Sequence, residues 1–243
     1  EGFRFITINT RASSQEHIDM QMGYAKDVDS RYPDNISYIT TFSMENFENP
    51  GWAEKVVETL KKDFEEGAHG VKVWKDIGMT FQDSLGNFIL IDDPLFDPIF
   101  DFIISQNKPV IAHIGEPRNC WLPFDSMTVN NDKAYFKEHP QYHMYLHPEY
   151  PSHEALVESR DNLLAKHPDL RLIGAHLGSL EYDVDELAKR LDRFPNFAVD
   201  MAARVCHFQV QEREKVRNFI IKYQDRLLYA TDIVYSPDDD PEQ

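Results

Sequence analysis

An α/β fold on a parallel sheet is what this sequence predicts, on three observations. Short apolar runs rich in β-formers alternate with helical patterns along all 243 residues, the rhythm of repeated βα units. The runs number seven: Phe5-Ile6-Thr7-Ile8, Ile36-Ser37-Tyr38-Ile39-Thr40, Val71-Lys72-Val73-Trp74, Val110-Ile111-Ala112-His113, Leu172-Ile173-Gly174-Ala175, Phe197-Ala198-Val199-Asp200 and Leu227-Leu228-Tyr229-Ala230. No G-x-G-x-x-G or G-x-x-x-x-G-K-S/T segment follows any of them. That removes the nucleotide-binding form of an open doubly wound sheet and puts a (β/α)8 TIM barrel lacking one strand ahead of it.

Between the runs, Ala53, Val56, Val57, Leu60 and Phe64 mark one face of a helix at i, i+3, i+4 spacing, and Val184, Leu187 and Leu191 mark another. Asn49-Pro50 and Asp93-Pro94 supply breaks, and Ser152 with Glu154 behind it reads as an N-cap and an acidic first turn. From Pro117 to Pro151 the periodicity fades. A connection that long after a barrel strand reads as an active-site cover, so the chain is expected to be one barrel domain over 1–243 with a lid-like insertion at 117–151.

The apolar fraction of 42% is enough for a sizeable core, and no stretch of 18 apolar residues occurs. With 42 acidic against 25 basic residues the net charge is −17, which opposes a phosphate backbone. A small-molecule substrate is the expected partner, with neither nucleic acid nor membrane, and a homo-oligomer is left open. Cys120 and Cys206 stand outside any CxxC motif, too few for a disulfide framework. The chain starts at Glu1-Gly2-Phe3 and stops in an acidic segment, so it reads as N-terminally incomplete. Its compartment is open between cytoplasm, periplasm and exterior.

Three polar residues end apolar runs alike: His113, His176 and Asp232. In a parallel barrel all strand C-termini face one mouth, so residues far apart in sequence converge there, and imidazole plus carboxylate is a metal-ligating set. Lys72 and Lys75 are the next oddity, because a strand buried on both faces should not carry an ammonium without a partner. A carbamylated metal ligand, an ion pair in the bore or a clamp on a substrate carboxylate would each satisfy one of them. Their spacing of three puts them on opposite faces without saying which faces the site. Trp74 and Glu116 are candidate substrate contacts; Asp200 and Arg204 are read as an ion pair, with a substrate role for Arg204 as the alternative.

The 117–151 insertion interleaves His139, His143, His147 and Glu149 with Trp121, Tyr135, Tyr142, Tyr145 and Tyr150. This suits a lid, with His147 as a candidate substrate contact. His143 and His147, at i, i+4, form a conceivable second metal site. No nucleophile elbow is present, and the sequence gives no support for covalent catalysis through either Cys.

At these residues the chain resembles the amidohydrolase superfamily, in particular its metal-dependent hydrolases and aminocarboxymuconate-semialdehyde-type decarboxylases. The segments that carry the likeness are Gly67-Ala68-His69-Gly70-Val71-Lys72-Val73-Trp74-Lys75, Val110-Ile111-Ala112-His113-Ile114-Gly115-Glu116-Pro117, Gly174-Ala175-His176-Leu177-Gly178 and Tyr229-Ala230-Thr231-Asp232. The resemblance implies a (β/α)8 barrel with His113 as a metal ligand on the fifth strand. Asp232 on the eighth would bind metal and handle the proton of the attacking water, and His176 on the sixth would bind metal or polarise the substrate. Lys72 or Lys75 would correspond to the carbamylated lysine of some members. The family's first-strand His-x-His does not occur here, which makes the first strand the one expected to be missing.

The function expected is metal-dependent hydrolysis of an amide, lactone or ester, with a divalent ion, zinc by preference, activating water and Asp232 taking its proton. Decarboxylation of a small unsaturated acid by the same residues is the alternative. A non-catalytic barrel that has lost its ligands is the third reading.

Overall fold

The computed structural model describes residues 4–9 and 14–233. Each apolar run contains a strand: β1 (Phe5–Thr7), β2 (Ile36–Tyr38), β3 (Val71–Val73), β4 (Val110–Ala112), β5 (Leu172–Gly174), β6 (Phe197–Asp200) and β7 (Leu227–Leu228). β1 pairs with β2, and β3 to β7 pair in chain order, every ladder parallel. A bridge from Thr40 to Val71 joins the two groups, with the Lys72 N–H donating to the Thr40 carbonyl at 2.7 Å. Among the described residues the seven strands therefore follow one arc in sequence order, in the parallel arrangement of a (β/α)8 barrel. Among the described residues nothing pairs β7 with β1.

β3 and β4 are buried at every position, as strands flanked by helices on one side and a bore on the other must be. The helices are α1 (Gln15–Arg31), α2 (Trp52–Glu65), the single turn α3 (Asp76–Met79), α4 (Asp97–Ser105), α5 (Asn130–Glu138), α6 (His153–Lys166), the single turns α7 (Ala175–Gly178) and α9 (Val205–Phe208), and between and after these α8 (Val184–Arg193) and α10 (Arg213–Tyr223). α2 turns Ala53, Val56 and Leu60 inward, and α8 turns in Val184, Leu187 and Leu191, as their spacing predicts. The Ser152 hydroxyl accepts from the Ala155 N–H at 3.1 Å to start α6. α1 buries only Ile18 and Met22, too sparse a stripe to register as a period.

The insertion at 117–151 departs from the aperiodic loop expected there. It holds α5 and four 3-10 turns, and Cys120, Met127, Phe136 and Met144 form an apolar cluster of its own. The Trp121 indole N–H donates to the Pro151 carbonyl at 3.1 Å, tying the two ends of the segment together. Among the described residues no helix is long and apolar enough to cross a membrane.

Candidate active site

The strand order delivers one or two polar side chains from each of five consecutive strands to the same end of the arc. β3 carries Lys72 and leads into Trp74; His113 follows β4, His176 follows β5, Asp200 ends β6 with Arg204 beyond it, and Asp232 follows β7.

His113 and His176 meet edge to face, ring centroids 4.4 Å apart at 65°. The His113 backbone N–H donates to the Val73 carbonyl at 3.0 Å, which holds it at the end of β3. Its Nε2 is buried and has no hydrogen-bond partner among the described residues. Burial, and then the positive charges of His176, Lys72, Lys75 and Arg204, hold this imidazole well below the usual histidine range. It is therefore neutral at physiological pH, with a lone pair free to bind a metal or a proton.

His176 is positioned through its backbone. Its φ is +58°, a left-handed conformation uncommon outside glycine. The Asp200 Oδ1 accepts from the His176 N–H at 2.9 Å and from the Ala202 N–H at 3.0 Å, clamping the turn. The His176 Nδ1 lies 2.8 Å from the Ala202 carbonyl. A carbonyl only accepts, so Nδ1 carries the hydrogen and Nε2 the lone pair. Burial first, and Arg204 next, lower its pKa, against Asp232 and Asp200, which raise it.

Lys72 faces the interior at 2% exposure, its Nζ 4.8 Å above the Trp74 ring. Among the described residues no carboxylate reaches ion-pair distance of it. Burial brings its pKa down to about 8, while Asp200 and Asp232, further off, oppose that shift. Lys75 lies beyond the strand and pairs with Glu116 at the rim. The choice between the two lysines is thus settled for Lys72 as the interior group; the Lys75 ammonium, engaged by Glu116, is not placed as a ligand. Trp74 stands 6.4 Å from the His113 ring.

The Asp200–Arg204 ion pair weighed from the sequence does not form, because Asp200 is committed to backbone N–H groups. Arg204 Nη1 donates to the Ala203 carbonyl at 3.0 Å, and its Nε is buried without a partner among the described residues. His147 is not brought to the mouth: its Nε2 is 3.1 Å from the Pro140 carbonyl and its Nδ1 3.5 Å from Glu149, both in its own segment. His143 is buried with Nε2 2.8 Å from the Leu122 carbonyl. The two histidines flank a single 3-10 turn, Met144–Leu146, rather than sharing one α-helical face. The buried Cys120 thiol, pushed up to about 12 by desolvation, is no nucleophile.

Two buried groups escape the strand-end pattern. Glu181, 1% exposed, accepts from the Arg118 N–H at 2.7 Å through one oxygen, leaves the other unpartnered, and is pushed up to about 7 by burial. His207 Nε2 stands 3.3 Å from the Asp132 carboxylate. The one sequence signal for Glu181 is an acid enclosed by Leu180 and Tyr182. A wider hollow of about 460 Å³ at the start of α2, lined by Phe47, Trp52, Glu54 and Asp93 among others, contains none of the strand-end residues.

The donors fit a divalent ion in kind: a neutral, orphaned imidazole nitrogen on His113, a second lone pair on His176 and a carboxylate at Asp232. Among the described residues no three His, Cys, Asp or Glu side chains are gathered tightly enough to enclose one.

An arc of parallel strands with imidazoles and a carboxylate beyond its C-terminal ends defines an α/β-barrel protein. The family model described as Amidohydrolase matches residues 48–243, and the chain belongs to that family. Among solved structures it is similar to an uncharacterised TIM-barrel protein from Bordetella bronchiseptica, at 15% identity and TM-score 0.57 over 94% of this chain and 64% of that one. It is similar to 2,6-dihydroxybenzoate decarboxylase from Rhizobium, at 18% identity and TM-score 0.58 over 95% and 73%. It also resembles a dihydroxybenzoic acid decarboxylase from Polaromonas sp. with bound manganese and 2-nitroresorcinol, at 16% identity and TM-score 0.56 over 93% and 66%. The chain spans 64% of the length of the first of these. No curated protein matches it by sequence.

Proposed function

We propose that this chain is the barrel of a divalent-metal-dependent enzyme that decarboxylates a small carboxylic acid. The observation that carries the reading is the neutral His113–His176 pair beside an interior, unpaired Lys72. Such a site offers lone pairs to a cation and a positive charge to an anionic substrate, and decarboxylases among the structural relatives support the same choice.

His113 and Asp232, with His176 as a further donor, would hold a divalent ion such as zinc or manganese, which when bound would supply positive charge to a substrate oxygen and lower the pKa of water toward roughly 7. Lys72 attracts the carboxylate, and Trp74 forms an apolar wall that keeps water from it. His176, its Nδ1 hydrogen held by Ala202, presents Nε2 to accept or share a proton. Asp232, exposed to solvent, relays a proton from water to the carbon left by carbon dioxide, leaving hydroxide in the solvent. Arg204 steadies developing negative charge and keeps both imidazoles unprotonated. The segment at 117–151 acts as the cover.

Hydrolysis of an amide, lactone or ester is the second reading, favoured by the family's own chemistry and using Asp232 as the base for a water molecule. Incubating the chain with zinc or manganese and a panel of hydroxybenzoates, amides and lactones separates the two: released carbon dioxide supports decarboxylation, and an acid formed without it supports hydrolysis. His113→Ala and Asp232→Asn should each lower metal retention, read by elemental analysis, with far-UV circular dichroism unchanged. Full retention and turnover in both variants would sink the assignment.

A further inference from the structure

We infer that the small cavity beside Lys72 is a binding subsite for a carboxylate group, and that Lys72 is the residue that selects it. The cavity has an internal volume of about 30 Å³ and is lined by Phe42, Met44, Ile77 and Phe81, with Lys72 and Trp74 completing it. By the usual measure of roughly 10–15 Å³ per buried water, it has room for about two water-sized groups, the size of a carboxylate.

Lys72 is the one cationic residue at the lining, so an anionic guest there is held by its ammonium. Thr41 is also at the lining, but its hydroxyl is spent on the Lys72 carbonyl at 2.8 Å. Asp76, the one acid at the lining, lies where the β3 strand has already ended, and its Oδ1 accepts from the Thr80 hydroxyl at 3.2 Å. A buried cation without a counter-ion is costly, and a carboxylate guest relieves that cost. The Trp74 ring, under Nζ and 6.4 Å from His113, connects this cavity to the imidazole pair.

The inference deepens the decarboxylase reading and rests on it for what is turned over, but carboxylate binding is measurable without turnover. The probes are acetate and its neutral analogue acetamide, titrated into the chain with and without manganese and followed by tryptophan fluorescence; Trp74→Phe identifies which part of the signal belongs to this cavity. Acetate should bind and acetamide should not. Lys72→Met, nearly the same length without charge, should weaken acetate by at least about tenfold, and Lys72→Arg should restore part of the affinity. Removal of a buried charge for a thioether is tolerated by packing, so Lys72→Met should fold, as checked by its thermal midpoint. Equal acetate affinity in wild type and Lys72→Met, or equal binding of acetate and acetamide, overturns the subsite. If acetate binds through Lys72 while no panel acid loses carbon dioxide, the subsite stands and the decarboxylase reading falls.

Discussion

Asp200 and His176, on neighbouring strands, are joined through the backbone rather than through the imidazole: the carboxylate takes the His176 N–H at 2.9 Å while the ring turns away to the Ala202 carbonyl. The carboxylate at the end of one strand therefore sets the conformation of the turn that ends the next, and with it the direction of the His176 lone pair.

Asp200→Ala leaves two N–H groups unbonded and a left-handed histidine unsupported. It should cost about 1–3 kcal/mol, whereas Asp200→Asn keeps a carbonyl oxygen in place and should cost clearly less. Urea unfolding followed by tryptophan fluorescence measures both, and equal stability for Ala and Asn would remove the clamp from the account.

Gly178 sits in the same turn at φ +60°, where an added Cβ would lie 2.9 Å from the buried Arg160 Nη1 and 3.1 Å from the Phe197 ring. Gly178→Ala should therefore lose about 1–3 kcal/mol. Gly23, inside α1, has nothing within 4 Å of such a Cβ, and Gly23→Ala should gain about 0.5–1 kcal/mol. Thermal midpoints should move in opposite directions for the two variants.

Glu181 gives a pH dependence of defined sign. Burial raises it from 4.5 to about 7, so the folded chain holds a proton that the unfolded chain gives up. Its contribution to stability is complete below about pH 4.5 and disappears as the pH rises through about 7. Glu181→Gln should flatten the fall in stability across that interval. His153 acts oppositely: burial lowers it to about 4, so its contribution is present above pH 6.5 and is lost as pH falls toward 4. Denaturation midpoints between pH 4 and 8, taken for wild type and Glu181→Gln, read the difference; parallel curves would show that Glu181 is ionised in both states.

The fold was largely legible in the sequence because each strand is a contiguous apolar run, and contiguity survives without knowledge of tertiary neighbours. His113 and His176 stand out in the sequence for the same reason, as the first polar residues after such runs, with Asp232 two residues after the last run. Lys72 against Lys75 was not, since a period of two gives opposite faces but not which face is the bore. Glu181, His207 and Asp132 were invisible because their burial is created by the 117–151 segment, whose 3-10 turns carry no repeat. His143 and His147, at i, i+4, flank a 3-10 turn rather than sharing an α-helical face, and each has one ring nitrogen at a backbone carbonyl.

Because the strands pair in chain order, the groups at the mouth are anchored with unequal strength. β4 to β6 are each flanked by a ladder on both sides, while β7 is held by two residue pairs, Val199–Leu227 and Asp200–Leu228, with Asp232 exposed and at φ +64° just beyond. Amide hydrogen exchange at β7 should therefore be faster than at β4 by the difference between a local opening and global unfolding. The carboxylate can leave and return while the imidazoles stay in place, which makes the last strand, rather than the core, the element whose occupancy sets the fraction of molecules with a complete mouth.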